Sequence, residues 1–306
     1  MIHRSTLVAL AALAAALHST PAAAEDVLYL TAGSVGTPSY LYGMGPTTGA
    51  IDSGHLMTDG VSPFTGAITG LTSGGGNLYA TAGAVGSASY LYGMVPGTGF
   101  VDSARLIVDD GRAFSGATTG LAYGGGELYM TAGAAGSASY LYRIDPLTGH
   151  VDSSIAIGDG QRLFTGGTTG LVYDDGELYM TAGTAGSASY LYGIDASTGL
   201  IDSEHLISDG GIAFTGAVTG LAFGNDELYL AAGGGGSAYY VYGIDPATGA
   251  SDFDHLITYS PGLFTGAMTG LAYVTAVPEP GSLALFGIGL VLVATARKRV
   301  LQPSRT

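Results

Sequence analysis

Short apolar runs separated by glycine-rich turns fill the middle of the chain and predict β-strands throughout it. Within residues 118–158, the runs at 118–123, 127–132 and 139–144 are apolar at nearly every position, whereas a fourth at 150–157 alternates with Asp and Ser. Runs of this length bounded by turn residues are typical of strands. Continuous apolar runs suit strands packed on both faces, and alternation suits an outer edge strand. Residues 26–275 show no helical periodicity.

This four-strand unit recurs five times at a spacing of 50 residues, without insertion or deletion. A fixed period of this size indicates one supersecondary unit stacked on copies of itself. We therefore predict an all-β fold, a five-bladed β-propeller of four-stranded blades over residues 26–275. A β-solenoid with 50-residue coils is the alternative, although solenoids favour shorter repeats and need caps.

The sequence of the repeat resembles that of known propeller repeats. The resemblance rests on the Gly-Leu-Ala-Tyr, Glu-Leu-Tyr and Leu-Tyr-x-Ile-Asp-Pro-x-Thr-Gly motifs, seen here at 120–123, 127–129 and 141–149. Proteins of many functions share these motifs, so the resemblance implies an architecture and no activity.

The two ends of the repeat region complete each other. The run at 26–31 corresponds to the second strand of a blade, and the run at 268–275 corresponds to a first strand. Their pairing would complete the fifth blade and remove the free edges of an open array. We therefore predict a ring that is closed by pairing the N- and C-terminal strands.

Charge and cysteine content narrow the range of partners. The chain has 24 acidic and 9 basic side chains, and only four of the basic ones, all arginines, fall between residues 26 and 275. A surface this acidic repels phosphate backbones and anionic membranes, so nucleic acid is not an expected partner. Gly, Ala, Ser, Thr and Tyr suit a neutral or weakly polar ligand. The absence of cysteine excludes disulfides, thiolate metal sites and cysteine catalysis.

The first 24 residues are organised like a secretory signal peptide. Arg4 precedes an apolar run at 7–17, and three small residues end with Ala24, the predicted cleavage site. A retained N-terminal anchor is the alternative, but the run is short for a membrane span. We therefore expect the chain to be exported.

A second targeting pattern occupies residues 276–306. An apolar stretch at 283–296 would rise about 21 Å as a helix, short of the roughly 30 Å hydrocarbon core. It would form a weak, short transmembrane helix with its basic end in the cytoplasm. The residues that flank this stretch are Pro278, Glu279 and Pro280 before it and Arg297, Lys298 and Arg299 after it.

Triplet, apolar stretch and basic cluster together resemble the PEP-CTERM sorting signal of Gram-negative bacteria, over residues 277–300. The resemblance implies a transient membrane anchor that an exosortase recognises and processes, with the export machinery as a further partner. It implies an intermediate anchored in the inner membrane, and then the cell surface or the extracellular matrix. Proteins with this tail often accompany exopolysaccharide or biofilm matrix. The tail implies where the protein is delivered, and it implies no activity.

Acid–base groups are missing from the place where propeller enzymes usually carry them. We expect the first strand of each blade to line the central channel, and the stretch at 68–71 and its four counterparts contain no Asp, Glu, His or Lys. Paired glycosidase carboxylates are therefore absent there, and the chain has no Gly-x-Ser-x-Gly elbow. The repeated threonines, from Thr69 to Thr269, are expected to hydrogen-bond to backbone or channel water. We predict no catalytic residue.

Histidine and aspartate recur without forming a recognisable metal motif. His55, His205 and His255 share one repeat position on the outer strands of three separate blades, so they cannot converge on one ion. Asp252, Asp254 and His255 could bind a metal locally, although a solvated strand is the simpler interpretation. We expect neither a metal nor a cofactor. A further aspartate is expected to hydrogen-bond to the turn before it in every repeat, namely Asp52, Asp102, Asp152, Asp202 and Asp252.

One loop per blade carries the best candidate ligand groups. It precedes the first strand, should share a face with the loop after the second strand, and contains Phe, a hydroxyl residue and Gly. An aromatic face beside hydrogen-bonding groups suits a sugar ring, but each Phe could instead plug the gap between blades. The candidate ligand-binding residues are Phe64, Thr65, Phe114, Ser115, Phe164, Thr165, Phe214, Thr215, Phe264 and Thr265. The third-strand tyrosines, from Tyr40 and Tyr42 to Tyr240 and Tyr242, are interpreted as core.

Two main functional hypotheses follow. The first is an exported, non-enzymatic propeller that binds matrix carbohydrate or exopolysaccharide at several weak sites, with avidity on a polymer. The second is a structural surface protein or protein-docking platform, which burial of the repeated Phe side chains would favour. A polysaccharide-active enzyme working from the channel mouth is the third alternative.

Overall fold

Five four-stranded antiparallel sheets surround a common axis in the computed structural model, which confirms the predicted all-β propeller. The structure describes residues 25–83, 86–233, 238–260 and 262–275, and Asp26–Val274 form one compact unit. The predicted signal peptide and sorting tail lie outside the described residues.

The strands follow the predicted boundaries within about one residue. In chain order they are β1 (Val27–Ala32), β2 (Tyr40–Met44), β3 (Ile51–Leu56), β4 (Ile68–Gly74), β5 (Asn77–Ala82), β6 (Tyr90–Met94), β7 (Val101–Leu106), β8 (Val108–Asp109), β9 (Arg112–Ala113), β10 (Thr118–Gly124), β11 (Glu127–Ala132), β12 (Tyr140–Ile144), β13 (Val151–Ala156), β14 (Thr168–Asp174), β15 (Glu177–Ala182), β16 (Tyr190–Asp195), β17 (Ile201–Leu206), β18 (Ser208–Asp209), β19 (Ile212–Ala213), β20 (Val218–Gly224), β21 (Glu227–Ala232), β22 (Tyr240–Ile244), β23 (Ser251–Leu256), β24 (Thr258–Tyr259), β25 (Gly262–Leu263) and β26 (Met268–Val274).

The strands group into five blades. Blade 1, which we call the closing blade, has the order β26-β1-β2-β3, and blades 2 to 5 are β4–β7, β10–β13, β14–β17 and β20–β23. We call the segment that joins two blades a linker. Three linkers contain a two-stranded hairpin, β8-β9, β18-β19 or β24-β25, which the sequence analysis did not predict.

The ring closes through the first and last strands of the repeat region, as predicted. Strand β1 pairs antiparallel with β26, so that Leu30 lies opposite Leu271. The first strands contact one another around the whole ring, in the order β4, β10, β14, β20, β26 and again β4. A closed ring excludes the β-solenoid alternative.

The Thr-Gly pair of each first strand allows the blades to approach closely at the axis. A Cβ added at Gly120 would lie 2.8 Å from the Cβ of Leu171 on the next blade. The hydroxyl of Thr119 donates a hydrogen bond to the carbonyl oxygen of Thr131, at 3.3 Å. The threonine hydroxyls therefore hydrogen-bond to backbone carbonyl oxygens, as expected. The space enclosed by the five Thr-Gly-Leu segments is about 10 Å³, close to the volume that one water molecule needs.

A second Thr-Gly pair, in the turn between the third and fourth strands, fastens neighbouring blades together. The carbonyl oxygen of Gly149 accepts a hydrogen bond from the amide of Val108 in the preceding linker, at 3.0 Å. The turn itself is capped by Asp145, whose carboxylate accepts from the amide of Leu147 at 2.7 Å. This corrects one expectation, because Asp152 and its four counterparts lie exposed on the fourth strands and do not cap this turn. The capping carboxylate comes before the turn instead of after it.

The core lies between blades. The leucine that opens the Leu-Tyr motif is fully buried in every blade, from Leu28 to Leu228. Between blades 2 and 3, Leu91 and Ile107 pack with Leu128 and Met130. Each blade thus buries both faces, except along its polar fourth strand.

Candidate functional site

The two predicted loops of each blade share one face of the ring. In blade 3, the amide of Gly133, after the second strand, donates to the carbonyl oxygen of Ala117 in the linker at 3.2 Å. The amide of Gly136 in the same loop donates to the carbonyl oxygen of Thr165 in the next linker at 2.9 Å. Linkers and second-strand loops therefore alternate around a continuous loop face.

The repeated phenylalanines sit between blades. Phe114 is only 8% exposed, its ring lies 4.9 Å from that of Tyr142 in an edge-to-face contact, and its carbonyl oxygen accepts from the amide of Ser89 in the preceding blade at 2.8 Å. It therefore plugs the gap between blades 2 and 3. Phe264 is similarly buried, and the other three are half-buried. Equivalent edge-to-face pairs are Phe64–Tyr92, Phe164–Tyr192, Phe214–Tyr242 and Phe264–Tyr42.

The hydroxyl residue after each Phe faces solvent. Thr65, Ser115, Thr165, Thr215 and Thr265 are all exposed. Each predicted pair thus divides its roles, because the Phe holds the linker between blades and the hydroxyl remains accessible on the loop face.

The interpretation of the repeated tyrosines as core is wrong for the outer tyrosine of blades 1, 2 and 3, whereas Tyr190 and Tyr240 are half-buried. Tyr40, Tyr90 and Tyr140 are 40%, 40% and 38% exposed, because each begins its third strand where the chain leaves the loop face. The inner tyrosine, two residues later, is half-buried. In blade 3 the rings of Tyr140 and Tyr142 lie 6.3 Å apart. The signal for this exposure was the preceding loop of small residues, which cannot cover a ring.

The linker, the second-strand loop and the tyrosine pair together border what we call the aromatic groove of a blade. In blade 3 the groove has a volume of about 540 Å³, and its lining includes Asp109, Arg112, Ser115 and Tyr140. The groove of blade 5 has about 410 Å³, with Asp209, Thr215 and Tyr240. Volumes of this size suit small-molecule ligands.

The inner tyrosines keep their protons at neutral pH. Burial, followed by the nearby carboxylates of Asp254 and Asp209, raises the pKa of Tyr242 to about 12. Burial and then Glu204 raise the pKa of Tyr192 to about 12 as well. These phenol groups therefore offer hydrogen-bond donors beside an aromatic surface.

The histidines do not meet. His55, His205 and His255 lie on β3, β17 and β23 of three different blades, as expected. Asp252 and Asp254 share the exposed face of β23, whereas His255 is on the other face with its ring 5.0 Å from that of Phe253. Within the described ranges no group of three or more His, Cys, Asp or Glu is arranged to hold a metal ion.

Comparison with protein families identifies the C-terminal segment. The PEP-CTERM protein-sorting motif matches residues 276–299, which include the Pro-Glu-Pro triplet and the basic cluster. This chain carries a PEP-CTERM sorting motif. The motif marks an exported protein that an exosortase sorts through a membrane-anchored intermediate. The matched residues lie outside the described part of the structure, and within that part no helix has the length and apolarity needed to cross a membrane.

Several solved structures are similar to this chain. The glutaminyl cyclase of Myxococcus xanthus matches at 17% identity and a TM-score of 0.46, covering 68% of this chain and 70% of that one. A chain of a nidogen–laminin complex matches at 12% identity and a TM-score of 0.48, covering 83% and 99%. Apo AztD of Citrobacter koseri matches at 12% identity and a TM-score of 0.38, covering 82% and 63%. A search of curated proteins found no relative.

Proposed function

We propose that this exported PEP-CTERM protein is a non-enzymatic propeller that binds polysaccharide of the extracellular matrix through the aromatic grooves of its loop face. The observation that carries the proposal is the exposed tyrosine that begins the third strand of blades 1, 2 and 3, namely Tyr40, Tyr90 and Tyr140. Each of these rings lies 6.0–6.3 Å from the protonated inner tyrosine of its blade, and Tyr140 shares its groove with the exposed Ser115. A flat apolar face next to directional hydrogen bonds is what a sugar ring requires.

Repetition supports a polymeric ligand. The grooves of blades 3 and 5 open on the same face of one ring, and the linker, loop and tyrosine pair that border them recur in the other blades, so that a polysaccharide with repeated sugar units can contact several of them. Linked weak sites gain affinity through their effective concentration, without any new contact. The acidic repeat region favours neutral polysaccharides over anionic ones.

A binding role is favoured over catalysis by the residues at the axis. The first strands offer Thr, Gly and Leu, and the threonine hydroxyls are engaged with backbone. The enclosed space of about 10 Å³ has no room for a sugar. Glycoside hydrolysis needs two carboxyl groups on either side of the bond that breaks, and the axis supplies neither.

Burial of Phe114 and Phe264 supports the second candidate, a structural or protein-docking surface protein. In that case the ring would be a rigid spacer, and its loop face would contact another protein of the cell envelope. The two candidates differ in the role of the outer tyrosines, because only carbohydrate binding requires their ring faces.

The test is a glycan-array screen of residues 25–275, followed by titration with the exopolysaccharide of the producing organism. The variant Tyr40→Ser/Tyr90→Ser/Tyr140→Ser should reduce the binding signal at least about tenfold, because three stacking faces are lost. Leu147→Ser is the matched control, since Leu147 is 74% exposed and lies outside the grooves. Absence of binding by the unchanged protein would contradict the proposal and favour the structural role.

A further inference from the structure

The elements that border the aromatic grooves are not equivalent in the five blades, and one linker position distinguishes them. Four linkers carry an aspartate there, Asp59, Asp109, Asp159 and Asp209, whereas the linker into the closing blade carries Tyr259. The ring of Tyr259 is 49% exposed. The closing blade therefore has an additional aromatic surface where the other blades have a carboxylate.

Tyr259 completes an aromatic corner. Its ring lies 5.7 Å from that of Tyr42 at an interplanar angle of 71°, and the exposed ring of Tyr40 stacks on Tyr42 at 6.0 Å and 27°. Tyr42 rests in turn on the buried Phe264, edge to face at 5.2 Å. Two exposed rings thus contact Tyr42, which is held in place by the buried Phe264.

The fourth strand leaves this corner open. Gly54 pairs with Tyr42 in register, and a Cβ there would lie 2.9 Å from Cε1 of Tyr42 and 3.8 Å from the hydroxyl oxygen of Tyr259. In the other blades this position is Ala, Ser, Glu or Asp. The glycine keeps both side-chain bulk and charge away from the corner.

Charge separates the closing groove from the rest. Its linker, its second-strand loop and position 54 contain no ionisable acid or base except tyrosine. The groove of blade 5 has Asp209 and Asp254, both close enough to raise the pKa of Tyr242 after burial has done so. Fixed negative charge holds water and repels acidic sugars, whereas a neutral aromatic corner favours the apolar face of a pyranose ring.

We infer that the closing groove is the principal ligand site of the ring and binds one neutral pyranose unit of a polysaccharide. The sugar stacks on Tyr259 and Tyr40, and the protonated hydroxyl of Tyr42 donates a hydrogen bond to it. The inference rests on the proposed function and deepens it. It makes the other four grooves weaker, auxiliary contacts along the polymer.

The experiment exchanges the groups that distinguish the grooves. Tyr259→Asp gives the closing linker the residue of the other four, and Asp209→Tyr makes the reciprocal change in blade 5. Both positions are exposed, so both variants should keep the melting temperature of the unchanged protein. Affinity is measured by calorimetry with dextran, hydroxyethyl cellulose and galactomannan as neutral probes and alginate as an acidic one.

For the best-bound neutral probe, Tyr259→Asp should weaken binding about tenfold, and Tyr259→Phe should stay within about twofold because the stacking face remains. Asp209→Tyr should bind as well as the unchanged protein or better. Binding by the unchanged protein that Tyr259→Asp leaves intact would overturn the inference alone, as would preference for alginate. Failure of the unchanged protein to bind any probe in this series and in the glycan array would overturn the proposed function as well.

Discussion

At the scale of single residues, the repeat motifs reflect close packing between strands more than they supply reactive groups. Glycine recurs beside Thr on the first strands because the neighbouring strand passes too near for a Cβ, as at Gly120 and Leu171. Other glycines of the repeat have no such constraint. Gly167 would meet only the Cβ of Ala135, at 3.9 Å, and the four other repeats have Ala at this position.

These two glycines define a matched pair of substitutions. Gly120→Ala should lower the free energy of unfolding by about 1–3 kcal/mol, because the added methyl overpacks the axis. Gly167→Ala should be neutral or slightly stabilising, since it removes backbone freedom from the unfolded chain without a clash. Chemical denaturation of residues 25–275 measures both. Equal effects of the two variants would contradict the close packing of the first strands.

At the scale of elements, the sequence predicted the strands well and the linkers poorly. The alternating and the continuous apolar patterns reflect how far each strand is buried, and equivalent strands are buried to nearly the same extent in every blade. The linkers all contain small turn residues, yet those of blades 3 and 5 form hairpins in which Asp110-Gly111 and Gly210-Gly211 have positive φ. In the linker of blade 2, Asp59 instead accepts hydrogen bonds from the amides of Val61 and Ser62, at 2.8 and 2.7 Å. Asp and Gly are common in both kinds of turn, so the presence of these residues in a linker does not by itself predict which turn forms.

The linker between blades 2 and 3 should contribute strongly to stability through its buried phenylalanine. Phe114→Ala should lower the free energy of unfolding by about 3–5 kcal/mol, because it empties the gap between blades 2 and 3 and removes the contact with Tyr142. Ser115→Ala, one residue later on the exposed side, should change stability by less than about 0.5 kcal/mol. Thermal unfolding distinguishes the two. A stable Phe114→Ala protein that had lost carbohydrate binding would instead make the Phe a ligand group.

At the scale of the whole molecule, closure was readable from the register of the repeat. The repeat region begins with a second strand and ends with a first strand, and β1 and β26 pair as the first two strands of the other blades do. What the repeat could not reveal is how the grooves differ, because this depends on individual departures such as Tyr259 and Gly54. A repeat predicts what its copies share, and differences between copies acquire meaning only when the fold brings them together.

Closure makes the last strand far more important than a chain end usually is. Strand β26 buries Met268, Leu271, Ala272 and Tyr273 at 1–4% exposure, so deleting residues 266–275 together with the tail should cost several kcal/mol, comparable to the stability of a typical domain. We expect aggregation or a large fall in melting temperature, whereas removal of residues 278–306 alone should leave the ring intact. A circular permutant can keep this pairing while moving the ends of the chain. Residue 275, changed from Thr to Asn, is joined directly to Asp26, which reproduces the Asn225-Asp226 turn of blade 5. The new ends lie at residues 125 and 126, and this permutant should preserve the ring. Equal stability of both truncations, measured by calorimetry, would show that the pairing of β1 with β26 does not hold the ring together.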